Sequence, residues 1–224
     1  MKRTISDRSA EDHFNDSLSS KEVRLVAQLR KPGQIQHFLD NLAYAPETIY
    51  RSPLRVLHEQ TCQCFDGAVF AAAMLLRIGY PALIVNLLPN QRDDDHVLAL
   101  FRHDSHWGAV AKSNFSGLRF REPVYRDLRE LVMSYFEHYY NLQREKTLRG
   151  YTRPLDLKAF DNCQWMTRDE TMHLIEAKLD KGPRYGIMTR AMVRRLSLVD
   201  DRACGAGLHG SNKAGLSKPP RQRN

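Results

Sequence analysis

The 224-residue chain contains no CxxC pair, no long apolar run and no internal repeat. The first absence removes the usual ligand spacing of a structural zinc site. The second removes a membrane span, because the longest apolar stretch, residues 68–76, falls far short of the roughly 20 residues a bilayer needs. Residues 1–7 carry no hydrophobic h-region, so no signal peptide is expected and a cytoplasmic location follows by default. The four cysteines, Cys62, Cys64, Cys163 and Cys204, are then expected to stay reduced. The formal net charge of +8 permits acidic partners, but no basic–aromatic interleaving or recognition motif accompanies it. Neither a nucleic acid nor a membrane is therefore expected as a partner.

What is present is a soluble-protein pattern: 42% hydrophobic residues and 9% aromatics in a length that suits one domain. Residues 1–19 are polar and poor in large aliphatics and read as a disordered arm. Ser19 and Glu22 have the spacing of a capping box, opening a helix that Pro32-Gly33 stops. A short helix follows over 34–42. Residues 64–78 are helical and almost wholly apolar, which marks a buried central helix, with Gly79 in the position that ends it. Residues 82–88, 96–102 and 107–111 read as strands. The turns between them are too short for crossovers, so the sheet is antiparallel. A short fourth strand is expected over 118–120 and a helix over 123–140. Thr167 and Glu170 cap a further helix, and residues 200–224 read as a disordered basic tail.

The chemistry concentrates at one junction. Cys64 opens the buried helix, where the positive end of the helix dipole favours a thiolate. His96 opens a strand shortly afterwards, in reach of that helix start if the two elements pack. The pair suits nucleophilic catalysis: a thiol, a base to take its proton, and donors for an oxyanion. The Cys64 backbone N–H supplies one such donor, and the side chain of Gln60 or Gln63 another. Cys62 is the rival thiol, set before the helix. The bland alternative is a buried structural cysteine, since free cysteine is among the most buried residue types. Asp93, Asp94 and Asp95 precede the histidine, but adjacent aspartates lack the alternating spacing of a calcium loop. No metal or other cofactor is expected.

Cys64, Ala68 and Leu75-Leu76-Arg77-Ile78-Gly79, followed by His96 and Trp107, resemble the core of the transglutaminase-like superfamily, whose fold is related to papain-like cysteine proteases. The resemblance covers roughly residues 55–115. The later run Leu118-Arg119-Phe120-Arg121-Glu122-Pro123-Val124-Tyr125, with Ser134-Tyr135-Phe136-Glu137, is similar to uncharacterised bacterial members. It implies an α+β fold: a papain-like core in which a buried helix with cysteine at its N-terminus packs on a small antiparallel sheet, with additional helices. The domain would run over 20–199, with its core at 55–122 and a helical extension at 123–199. The family places an Asp after the Trp to orient the imidazole, and here Ala111 stands near that position. Papain-like relatives use an Asn, which makes Asn114 the candidate third member and Ser113 the second choice. The implied activity is a cysteine hydrolase or acyltransferase acting on amide or peptide bonds through Cys64, His96 and Asn114, with a thioester intermediate and a protein or peptide substrate. The alternative is a catalytically inactive binding module of the same fold.

Overall fold

Between Cys64 and Arg77 only Asp66 and Arg77 are charged, and every residue from Phe65 to Leu75 is buried. A helix apolar on all sides must be covered on all sides, and the rest of the fold is arranged to do so. The computed structural model describes residues 9–47 and 49–216. In chain order the elements are α1 (Ala10–Ser17), α2 (Ser20–Val26), α3 (Pro32–Asn41), β1 (Ala43–Tyr44), α4 (Pro53–Glu59), β2 (Thr61–Cys62), α5 (Cys64–Arg77), β3 (Leu83–Pro89), β4 (His96–His103) and β5 (His106–Val110). There follow β6 (Arg121–Tyr125), α6 (Leu128–Met133), β7 (Leu148–Thr152), β8 (Leu155–Asp156), α7 (Glu170–Asp180), β9 (Arg184–Gly186), α8 (Arg190–Val193) and α9 (Asp201–Gly207).

Among the described residues one seven-stranded sheet runs β6-β5-β4-β3-β7-β9, with β8 also on β3, and all its pairings are antiparallel. Alternation along the strands sorts side chains to two faces. On β4, Val97, Ala99 and Phe101 join α5, α3 and α4 in one core, while Leu98 and Leu100 join Leu131, Val132, Tyr135 and Tyr139 in the other. Burial on both faces explains why β3 and β4 read as nearly continuous apolar runs. Asp104 and Ser105 turn the β4–β5 hairpin with positive φ values of 45° and 67°, the left-handed pair that suits a two-residue loop. The fold is thus mixed helix and sheet, compatible with the expected α+β class.

Several local expectations are corrected. Residues 10–17 are a docked helix rather than a loose arm: Ser9 and Asp12 form a reciprocal capping box, and Phe14 is fully buried. One aromatic and one cap sufficed where average composition suggested disorder. The expectation for residues 1–8 lies outside the described residues. Pro32 opens α3 instead of closing α2, taking the first helical position, which has no use for an N–H. The fourth strand is β6, and it contains Pro123. Because β6 is the sheet edge, the missing N–H breaks no ladder bond, and the expected helix from 123 shrinks to α6 and a short 3-10 turn at Phe136–His138. Asp169, not Thr167, precedes α7, and its carboxylate is spent on the Ser52 N–H and the Arg55 guanidinium. Residues 200–216 are ordered as α9 and a 3-10 turn at Lys213–Gly215, and the remainder of the expected tail lies outside the described residues.

Gly67 on α5 shows how tightly this centre is built. A Cβ there would come within 2.5 Å of the Lys112 Cβ, whereas one at Gly33 on α3 would meet nothing within 4 Å. Intrinsic helix propensity favours Ala over Gly by about 1 kcal/mol at both sites. Gly33→Ala is therefore expected to raise stability by up to about 1 kcal/mol, while Gly67→Ala lowers it by about 1–3 kcal/mol through overpacking. Urea denaturation of the two variants checks the opposite signs.

Candidate active site

The start of α5 is pinned from below. Asp66, fully buried in its first turn, accepts the Gln63 N–H at 3.3 Å and the Arg51 N–H at 3.0 Å, and its other contact is the Arg51 guanidinium at 3.7 Å. Burial still pushes the Asp66 carboxyl up to about 6. This anchorage fixes Cys64 as the first helical residue, partly exposed, while Cys62 is fully buried beneath it. The Cys64 thiol points at the start of β4. Its Sγ lies 3.9 Å from the carbonyl oxygen of Asp95, the residue before His96. Cys64 and His96 both line one cavity of about 260 Å³.

His96 is buried, and its Nε2–H donates to the Leu118 carbonyl at 2.7 Å. That bond places the proton of the neutral ring on Nε2 and leaves Nδ1 as a base, with no hydrogen-bond partner among the described residues. The Tyr139 ring stands edge-on to it at 6.4 Å, and the Tyr139 hydroxyl donates to the Asp94 carbonyl at 2.8 Å, bracing the turn that leads into β4. Burial pushes the imidazole down to about 4. Burial, then the Asp95 carboxylate, pushes the Cys64 thiol up to about 12. Both shifts favour the neutral form of their group, against the expectation of a dipole-acidified thiolate.

Asn114 and Ser113 line the same cavity. The ring partner of His96 is nevertheless a backbone carbonyl, and the Asn114 carboxamide is engaged by Asn212. A carbonyl's role has no signature in side-chain sequence, so Leu118 was not foreseeable. Of the expected oxyanion donors, Gln60 Nε2 is bonded to the Leu57 carbonyl and Gln63 Nε2 to the Glu47 carbonyl. Gln63 lies on the cavity wall and Gln60 does not. Trp107 stays outside it, stacked under the Arg102 guanidinium at 5.4 Å. The aspartates before His96 are bound individually: Asp93 by the Thr147 hydroxyl, Asp95 by the Asn86 amide. Among the described residues no group of three or more His, Cys, Asp or Glu is placed to hold a metal ion, and no helix is long and apolar enough to cross a membrane. Behind Asn114, the buried Lys112 ammonium donates to the Leu39 and Leu42 carbonyls at 2.7 and 2.6 Å, closing the end of α3.

No protein-family model matches the chain, and no curated protein matches it. Two solved structures of Legionella pneumophila LapG are similar in part. One has a TM-score of 0.34 and 13% identity, covering 46% of this chain and 68% of that one. The other, EGTA-treated, has a TM-score of 0.39 and 12% identity, covering 74% and 95%. A likeness this weak decides neither topology nor chemistry.

The His96 ring gives a pH signature. The unfolded chain takes up its proton near 6.5, whereas the folded protein withholds it until about 4. Stability drawn from His96 is therefore complete above about pH 6.5 and is lost as pH falls towards 4, by an amount on the order of 3 kcal/mol. His96→Gln is expected to remove this component. Urea unfolding of both proteins at pH 7, 5.5 and 4.5 should show their stability difference changing in that direction, with other titrating groups common to both.

Proposed function

We propose that the protein is a transglutaminase-like cysteine hydrolase or acyltransferase of papain-like core, acting on amide or peptide bonds. The observation that carries this reading is a single cavity opening on a thiol at the start of a buried helix and on an imidazole whose tautomer leaves a basic nitrogen free. In the proposed reaction Nδ1 of His96 takes the Cys64 proton as the sulfur attacks the substrate carbonyl. The Leu118 carbonyl, already accepting the Nε2–H, stabilises the imidazolium that forms. The helical N–H groups left unpaired at the α5 start, that of Cys64 among them, face the developing oxyanion. Collapse of the tetrahedral species breaks the C–N bond, and His96 returns its proton to the leaving amine. A thioester on Cys64 remains. Water or a second amine attacks it, losing a proton to His96, and the thiol is restored. No step calls on a cofactor.

Desolvation favours the neutral form of both groups, so proton transfer is coupled to attack rather than completed beforehand. A thiol shifted in that direction also favours the second reading, a non-catalytic binding module. Cys64→Ala separates the two: a module binds the same peptide with and without the sulfur and turns over nothing in either form. For an enzyme, Cys64→Ala abolishes release of peptide or ammonia from a substrate library while leaving the fold intact. His96→Gln lowers turnover by about 10²–10⁴. Cys62→Ala, beneath the site, leaves turnover in place; turnover surviving in Cys64→Ala overturns the proposal.

A further inference from the structure

The chain after β9 returns to the candidate site. α9 is tied to the body by the Ser116 hydroxyl, which donates to the Ala206 carbonyl at 2.9 Å, and by the Tyr140 hydroxyl, which donates to the Ala203 carbonyl at 3.1 Å. Residues 212–215 then meet the cavity wall. Asn114 engages them with both ends of its carboxamide: Nδ2 donates to the Asn212 carbonyl at 2.8 Å, and the Asn212 N–H donates to Oδ1 at 2.7 Å. This is the pattern with which one strand residue pairs another, and it reads backbone whatever side chain is attached. The Asn212 side chain donates to the Tyr44 carbonyl at 3.0 Å. Gly215 lines the cavity against the Tyr44 ring, where a Cβ would come within 2.6 Å of Cδ1. Residues 212–214 are exposed, so this stretch is held by hydrogen bonds and not by a core of its own.

We infer that the cavity is a cleft for a polypeptide, that Asn114 grips the backbone of that polypeptide, and that the resident segment 212–215, which turns at the Asn114 wall with Gly215 at the cavity, competes with a substrate for that grip. The inference deepens the function proposed above, on which it rests: a chain gripped at Asn114 enters the cavity that Cys64 and His96 line. It narrows the substrate class from amides in general to peptides. It also gives Asn114 a task, because the His96 Nε2–H is taken by the Leu118 carbonyl. Being tethered, the resident segment competes at high effective concentration, and a free peptide must be supplied in the millimolar range to replace it.

The test reads occupancy at Cys64 in the full chain. Iodoacetamide alkylation is followed at that residue by mass spectrometry for the wild type, Gly215→Leu and Asn114→Ala, with and without the blocked peptide acetyl-Asn-Lys-Ala-Gly-Leu-amide. Gly215→Leu collides with Tyr44, and Asn114→Ala removes the grip. Both are expected to label about tenfold faster than the wild type or more. Millimolar peptide should restore slow labelling in Gly215→Leu but not in Asn114→Ala. The isosteric Asn114→Asp, which keeps the acceptor and loses the donor, should fall between. Labelling within about twofold of the wild type in both variants overturns the resident segment, and equal protection by the peptide in both overturns the grip. The expected labelling without turnover of any peptide would sink the hydrolase reading alone. Turnover with flat labelling would sink this inference alone.

Discussion

A buried carboxylate holds the functional end of this fold in place. Asp66 has no exposure to solvent, and its oxygens are taken up by two backbone N–H groups and the Arg51 guanidinium. Arg51 is itself buried and also reaches Glu59 at 2.7 Å and Glu47 at 3.3 Å. Removing Arg51 would leave the Asp66 carboxylate without solvent or a cationic partner. Its product is positional. The first turn of α5 cannot fray, and the residue at its start is presented to β4 at a fixed depth and angle.

Around that anchor, the sheet performs two tasks at once. One face of β4 covers α5 and the other covers the Tyr135 and Tyr139 layer, so the strand that carries His96 is clamped between two cores. A histidine at the first residue of such a strand inherits that rigidity while keeping one edge at a cavity. The cost is desolvation, visible as an imidazole that resists protonation and a thiol that resists ionisation. Position and reactivity are in tension here, and the geometry favours position.

Much of this was legible because the deciding rules are local. The apolar run closed by Gly79, the buried aliphatic strand after it, and the hairpin at Asp104-Ser105 follow from local pattern and turn chemistry alone. The joint placement of Cys64 and His96 on one cavity was likewise available, since short connections allow few arrangements. What escaped depends on context. Pro123 is tolerated because β6 is an edge, which no window of sequence reveals. Phe14 turns a polar segment into a docked helix through a single pocket. The direction in which the Cys64 thiol is shifted could not be read from helix position, because desolvation is a property of the whole fold. The partners of His96 and Asn114 are main-chain atoms of Leu118 and Asn212, contributed by residues whose side chains are irrelevant to the contact.

Lys112 links these layers mechanically. Its ammonium is buried, is made less basic by that burial, and donates to two carbonyls at the C-terminal end of α3. The lysine sits just past β5, two residues before Asn114. A charge enclosed this way has no water to fall back on, so the strand exit and the helix end must move together. One side chain thereby ties the end of α3 to the stretch of chain whose next two residues, Ser113 and Asn114, form part of the cavity wall.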